Sequence, residues 1–395
     1  MQRLTQSPLD PDFIQNPYPF YDRVRAAGGF AYWEDYGLPV TARANVTGTA
    51  FRDRRLGRQA PAEHAPAIPD HLKPFYAVED HSMLELEGPH HARLRRLVLR
   101  AFTTNRIATL APEIATLAHD LIDRFPSGGC DLITHFAKPI PVIIIARLLG
   151  VPEERADDLL RWSNAMVGMY QANRSRQSED AAVAATQDFA DFIDRYADIR
   201  RKSPGNDLIS ELLVAEEAGE RLTRAELVTT CILLLNAGHE ATVHTLGNGV
   251  KTLLETRTPA AALAPDRIGS TIEEILRYDP PLHMFTRWVY EDLELGGTRF
   301  HRGDRIGVLL GGANRDPQSW DEPFRFDPTR PAQTNFSFGA GAHFCLGAPL
   351  ARLELLTVLP ILFARLPDLQ LAGAPKYADL YHFHGLERLD IHWSA

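Results

Sequence analysis

The sequence predicts a mainly α protein with small peripheral β-sheets. Three observations carry this expectation. From about residue 90 to residue 280, apolar side chains recur three and four positions apart, the spacing of one helix face. Strand-like pieces are short and gather toward the two ends. No stretch has the composition of a flexible Gly/Ser linker and no internal repeat is visible, so residues 1–395 are expected to form one domain.

Taken in order, "GGFAYWE" (28–34) is the first strand-like piece. "ARLRRLVLRAF" (92–102) and "APEIATLAHDLIDRF" (111–125) put apolar residues on one helical face with arginines or acids between them. "PIPVIIIARLLGV" (139–151) is the most apolar segment, but Pro141 and Arg147 break it, and it is shorter than the roughly 20 residues a membrane span needs. The polar run "QANRSRQSED" (171–180) reads as a surface loop before the helical pattern of 181–202. Thr223 and Glu226 have capping-box spacing and open a long helix from about 224 to 256. Around "CILLLNAG" that helix is apolar on nearly all sides, which predicts an interior position. "RWVYEDLELGG" and "DRIGVLLGG" supply late strands around 287–312. Irregular, Pro- and Gly-rich chain then fills 311–331, where Trp320, Phe324 and Phe326 predict ordered packing.

Composition narrows the function. The chain has 395 residues, 45% hydrophobic and 24% charged, the balance of an ordinary globular protein. A formal charge of −9 argues against a general nucleic-acid binder, which would carry a basic excess. Cys130, Cys231 and Cys345 are few, odd in number and far apart, so no disulfide framework is expected and a reducing, cytoplasmic setting fits. The first twenty residues lack a basic start followed by an apolar run, so neither a signal peptide nor membrane attachment is expected.

The chemistry concentrates at "NFSFGAGAHFCLGAPLAR" (335–352). A lone cysteine among glycines can be a buried structural residue, a zinc ligand or a nucleophile. A phosphate cradle would need a third glycine and a Walker lysine, which are missing. Local chemistry favours a thiolate ligand. Gly339, Gly341 and Gly347 let the backbone approach a flat partner, and Cys345 stands just before a helix opened by Pro349, where dipole and free amides favour an ionised sulfur. Such a sulfur beside a flat surface suits haem iron.

Phe338-Gly339-x-Gly341-x-His343-x-Cys345-x-Gly347 resembles the haem-binding loop of the cytochrome P450 family at every fixed position. Three further segments resemble the family in the right order, and the likeness runs from about residue 80 to 350. Glu274 and Arg277 match its Glu-x-x-Arg pair, whose structural role is to grip the irregular "meander", here "NRDPQSWDEPFRFDP"; i,i+3 spacing alone more often marks an exposed ion pair. His91, Arg95, Arg287 and His343 match the clamp on the haem propionates, for which arginine's planar fork is suited. "LLLNAGHEATVH" resembles the oxygen-activating bend of the central helix, with Gly238 making room for dioxygen and Glu240 placed for proton relay.

One position departs from the family. The threonine usual after the acid is Ala241, and the nearest hydroxyl is Thr242. One residue turns a side chain by about 100° around a helix, so Thr242 cannot take over that place directly. Water or a substrate hydroxyl would then have to deliver protons.

The resemblance implies the P450 fold, haem b (iron protoporphyrin IX) with Cys345 on the iron, and insertion of one oxygen atom of O2 into a small or medium-sized organic substrate. It also implies electrons from a ferredoxin and its reductase, with Arg95, Arg96, Arg100 and Arg352 as a possible docking face. By analogy the substrate pocket takes in Met83, Asn236, Ala237, Ala241, Leu282, His283, Met284 and Phe285, and "YHFHG" (381–385). Each of these is about as well explained by ordinary core packing. Two other readings stay open: a peroxide-driven haem-thiolate peroxygenase, for which no arginine stands in "NAGHEAT", and a non-catalytic haem protein, which Glu240 and the complete cysteine loop oppose.

Overall fold

In a computed structural model the described residues are 1–171, 174–217 and 220–394. Helices dominate between residues 88 and 278, and most strands lie in the first 57 residues and the last 112. The chain divides into two compact units. One comprises Met1–His64, Ile114–Lys138 and Ala241–Ala395; the other comprises Ala65–Glu113 and Pro139–Glu240.

The first unit is built on a six-stranded mixed sheet. Met284–Val289 pairs antiparallel with Arg305–Leu309, whose other edge takes Leu38–Thr41 in parallel; Ala31–Trp33 and Gln2–Leu4 extend that side, and Leu56–Gly57 closes the opposite edge. Strand residues alternate faces. Accordingly, Met284 joins a core with Phe13, Tyr21 and Trp33, while Phe285 packs against the other cluster, which holds Phe51, Phe300 and Phe336. A second sheet joins Gly129–Asp131, Asp390–His392 and Gln370–Leu371. Trp320 is buried, as expected for the irregular 311–331 segment, but Phe324 is exposed and takes no part in its order.

The second unit is helical. Ala156–Val167 packs on Pro139–Leu149 and on Arg176–Lys202, and Gly88–Ala101 packs on Leu208–Val214, with Leu94, Ile144, Trp162 and Phe189 almost fully enclosed. The expected loop at 171–180 is shorter than its polarity implies. Ser175 caps a helix that begins at Arg176, in a reciprocal capping box with Ser178, and residues 172–173 lie outside the described residues. Polar side chains there face solvent from a helix, which a polarity reading cannot tell from a loop.

The central helix, Arg224–Glu255, starts as its capping box predicts. Thr223 Oγ1 accepts from the Glu226 amide at 3.2 Å, and the Glu226 carboxylate accepts from the Thr223 amide at 2.8 Å. It is 32 residues long, and the residues from Leu227 to Leu235 are nearly all buried. No helix of the described residues is long and apolar enough to cross a membrane.

Candidate active site

The cysteine loop owes its shape to a buried polar chain that begins two segments earlier. Glu274 and Arg277, on the helix Ile268–Tyr278, are 3% and 0% exposed, so this is no surface ion pair. Arg277 Nε and Nη2 reach the two carboxylate oxygens at 2.6 and 2.7 Å. Its remaining N–H groups donate to the carbonyls of Asn314, Pro323 and Arg325, and Glu274 accepts from the Asp327 amide and from Arg330. A guanidinium's five donors are what let one side chain fasten three turns of irregular backbone.

The grip continues into the loop itself. Asn314 accepts from the Phe336 amide at 2.7 Å and donates to the Ser337 hydroxyl, which donates onward to the Leu276 carbonyl. The Gly339 amide then bonds the Phe336 carbonyl and the Cys345 amide bonds the Phe338 carbonyl at 3.0 Å, closing a tight hairpin. Gly339 and Gly341 hold φ of +65° and +72°, which side chains rarely tolerate. At Gly341 a Cβ would stand 2.0 Å from the Phe51 carbonyl oxygen, so the loop lies directly on the helix Ala44–Arg52.

Cys345 is half-buried and in no disulfide, two residues before Gly347, the N-cap of the 18-residue helix Ala348–Arg365 that carries Pro349 in its first turn. The other thiols are unsuited to ionise: burial pushes Cys130 up to about 11 and Cys231 up to about 12. Arg287 is buried, donates to the Thr286 carbonyl, and lies over the Phe51 ring at 4.8 Å. Phe51 also meets Phe285 and Phe336. The unit thus brings the cysteine loop, Phe285 and Arg287 together around Phe51, a residue sequence reasoning passed over because nothing in "FRDRR" marks it. A half-buried thiol, positive-φ glycines and an enclosed guanidinium form a donor set that fits a flat dianionic iron cofactor.

Not every expected residue of this unit joins that cluster. His283 is fully buried with Nδ1 at 2.7 Å from the Tyr21 hydroxyl, and Met284 is in the core on the opposite face of the sheet. Leu282 and Phe285 are only half-buried, and Leu282 bridges to Phe383. Thr242 is 6% exposed, while Ala241 is half-buried and its carbonyl accepts from Thr245 Oγ1 at 2.7 Å. Phe338 stacks under Arg352, whose guanidinium is held by Glu273 at 2.6 and 3.1 Å. Arg352 is therefore internally neutralised. His343 is half-buried in the short 3₁₀ turn before Cys345.

In the helical unit, His91 is buried and Arg95 half-buried on Gly88–Ala101, where Arg96 and Arg100 are exposed. Met83 is buried. Asn236 donates to Met166 Sδ, Ala237 is exposed, and a Cβ on Gly238 would stand 3.2 Å from Ile145 Cγ1. The missing side chain at Gly238 thus serves close helix packing on that side. Glu240 is half-buried, and beside it His239 was missed by sequence reasoning: its ring is buried, with Nδ1 on the Leu235 carbonyl at 2.9 Å and Nε2 3.4 Å from Glu240 Oε1.

A family model described as Cytochrome P450 matches residues 65–263 and 268–366, spanning the central helix, the Glu274–Arg277 pair and the cysteine loop. The chain belongs to the cytochrome P450 family.

This P450 is 35% identical to the biotin biosynthesis cytochrome P450 of Bacillus subtilis, over 98% of this chain and 99% of that protein. It is 38% identical to a vitamin D(3) 25-hydroxylase of Pseudonocardia autotrophica, over 96% and 94%. Among solved structures it superposes with a TM-score of 0.92 on P450BioI in complex with an acyl carrier protein bearing hexadec-9Z-enoic acid, at 33% identity, covering 97% of this chain and 99% of that one. The P450 is accordingly an oxidoreductase, a haem-thiolate monooxygenase that uses haem b. Bound haem supplies the iron at which O2 is reduced and one of its oxygen atoms is passed to substrate.

Proposed function

We propose that this P450 oxidises a small or medium-sized organic substrate in the cytoplasm, as one catalytic domain, with electrons from a ferredoxin and its reductase. The observation that carries the site assignment is the cysteine loop: Cys345 is the half-buried thiol at the start of a helix, held by the polar chain from Arg277. In this reading Cys345 ligates the iron, Phe338, Gly339 and Gly347 shape its surroundings, and His91, Arg95, Arg287 and His343 hold the propionates. Glu240 moves protons, and with Ala241 lacking a hydroxyl the last donor is a water or the substrate's own hydroxyl. Thr242, one position on, is turned away. Met83, Asn236, Ala237, Leu282 and Phe285 bound the substrate space. Arg96 and Arg100, exposed on one helix, offer a positive face to an acidic ferredoxin.

Relatives named for biotin biosynthesis and vitamin D(3) hydroxylation, and a structural neighbour carrying a fatty acyl chain on a carrier protein, set the panel to try. Purified haem-loaded enzyme would be titrated optically with fatty acids, the same acids on an acyl carrier protein, hydroxyl-bearing steroids and macrolides, and small aromatics. A Soret shift from the low-spin to the high-spin form names the substrate class. If haem-supplied protein shows no Soret band, the assignment of Cys345 falls. Reversing charge at Arg96 or Arg100 is expected to slow reduction by ferredoxin, with the loss growing as salt falls; unchanged rates would retire the docking face.

A further inference from the structure

A second cluster of ligand-type side chains lies outside the cysteine site, within the sheet-bearing unit. Asp279 follows the helix Ile268–Tyr278, His283 immediately precedes the strand Met284–Val289, and His384 sits in the C-terminal turn. All three are 2% exposed or less, and one ligand atom from each lies within 4.8 Å of the others. Three polar atoms here lack a hydrogen-bond partner: Asp279 Oδ1, His283 Nε2 and His384 Nδ1. Buried polar atoms are rarely left so without a water or an ion to satisfy them.

The surroundings prepare these three side chains as ligands. Asp279 has one oxygen engaged, with Oδ2 accepting from Tyr377 at 2.5 Å and standing 3.1 Å from Lys251 Nζ. Its other oxygen faces His384 Nε2 at 3.6 Å. His283 Nδ1 meets the Tyr21 hydroxyl at 2.7 Å, and that hydroxyl meets Tyr381 at 3.0 Å. Where Nδ1 donates to the Tyr21 hydroxyl, Nε2 is left as a lone pair, the usual outer arrangement of a metal-bound imidazole. The His384 ring is stacked on Tyr377, with centroids 3.8 Å apart. Burial holds both imidazoles well below their ordinary range, His384 at about 4, so both are neutral near pH 7.

We propose that Asp279, His283 and His384 form a buried site for one divalent transition-metal ion, zinc by its ligand chemistry. Two imidazoles, one carboxylate and a water make a known zinc set, with bonds of about 2.0–2.2 Å. These bonds require ligand atoms roughly 3.5 Å apart, so the cluster closes by about 1 Å at its widest. Lys251 is the competitor, since it already balances the Asp279 charge, and Arg315 adds positive charge nearby. Lys251 has a second acid to turn to, because Glu255 lies 3.5 Å from the same ammonium. Metal uptake therefore means Lys251 yielding Asp279 to the ion. Filled, the site would tie the end of one helix, the start of the strand carrying Phe285, and the turn carrying Phe383.

The test uses the haem-loaded full chain, with folding of each variant checked by its Soret band. Zinc is counted by elemental mass spectrometry after purification without chelator, and Zn2+ affinity is measured against a competing chromophoric chelator. About one equivalent is expected. H283Q and H384Q should each weaken binding at least ~10-fold, while K251M should tighten it by about 10-fold through removal of the competing charge. That gain cannot come from damaged folding. Less than ~0.1 equivalent with no rise in Tm on adding Zn2+, or an affinity untouched by H283Q and H384Q, would overturn the proposal and leave a bridging water in its place.

Discussion

At the scale of single residues, Ala241 and Glu354 set the clearest tests. Where Ala241 lacks the usual hydroxyl, Ala241→Thr should change product formed per NAD(P)H consumed. A sharp rise in coupling would mean native proton delivery is poor; a fall from an already high value would mean that substrate or water completes the relay. Glu354 is fully buried on the helix after Cys345, and neither carboxyl oxygen has a partner. Burial raises its pKa well above the ordinary value. A carboxyl neutral in the folded state and ionised in the unfolded one stabilises fully only below its unfolded pKa. The folded form loses about 1.4 kcal/mol of stability per pH unit above that point while the acid stays protonated. Glu354→Gln removes that cost, so the variant should match the parent near pH 4 and exceed it increasingly toward pH 8. Tm measured across that range, showing parallel curves, would exclude a neutral Glu354.

At the scale of elements, the helix Ile268–Tyr278 and the irregular segment behind it stand or fall together. Arg277→Lys keeps the charge but loses the fork that serves Glu274 and three carbonyls at once. It should cost about 3–5 kcal/mol, because buried acceptors and a buried carboxylate lose their partner. Haem retention is the sensitive readout: the hydrogen-bonded chain from Arg277 through Asn314 and Ser337 ends at the cysteine loop. Retention equal to the parent's after mild heating would show that the loop keeps its shape without the pair. The spacing of this pair alone more often marks an exposed ion pair, and its structural role was legible only through the family resemblance. Its worth comes from burial, which i,i+3 spacing does not encode.

At the scale of the whole molecule, the charge balance and the electron supply are tied. A chain of net charge −9 that receives electrons from an acidic carrier would need a local basic face, and Arg96 and Arg100 are its exposed members. Arg352, which the sequence reading set on the same face as Arg95, Arg96 and Arg100, is consumed by Glu273. Reduction should therefore be insensitive to the surface charge of Arg352. An Arg352→Gln variant that still holds haem should reduce at the parent's rate once its stability is accounted for.

The helical class, the capping of the central helix and the cysteine loop were legible because each is a local pattern. Periodicity, Thr223 with Glu226, and glycines at set distances from Cys345 all act within a few residues of one another. The parts that escaped are long-range. Phe51 gathers Phe285, Arg287 and Phe336 from segments more than two hundred residues away, and His283 turns from an expected pocket wall into a buried partner of Tyr21. A strand's alternation says that neighbouring residues face opposite ways, but which face meets the core depends on what the sheet packs against. By itself the sequence determined the family and its chemistry, since a thiolate loop is written in adjacent residues. Only tertiary structure decided which charges are buried, paired or left to bind, because those properties belong to neighbours in space.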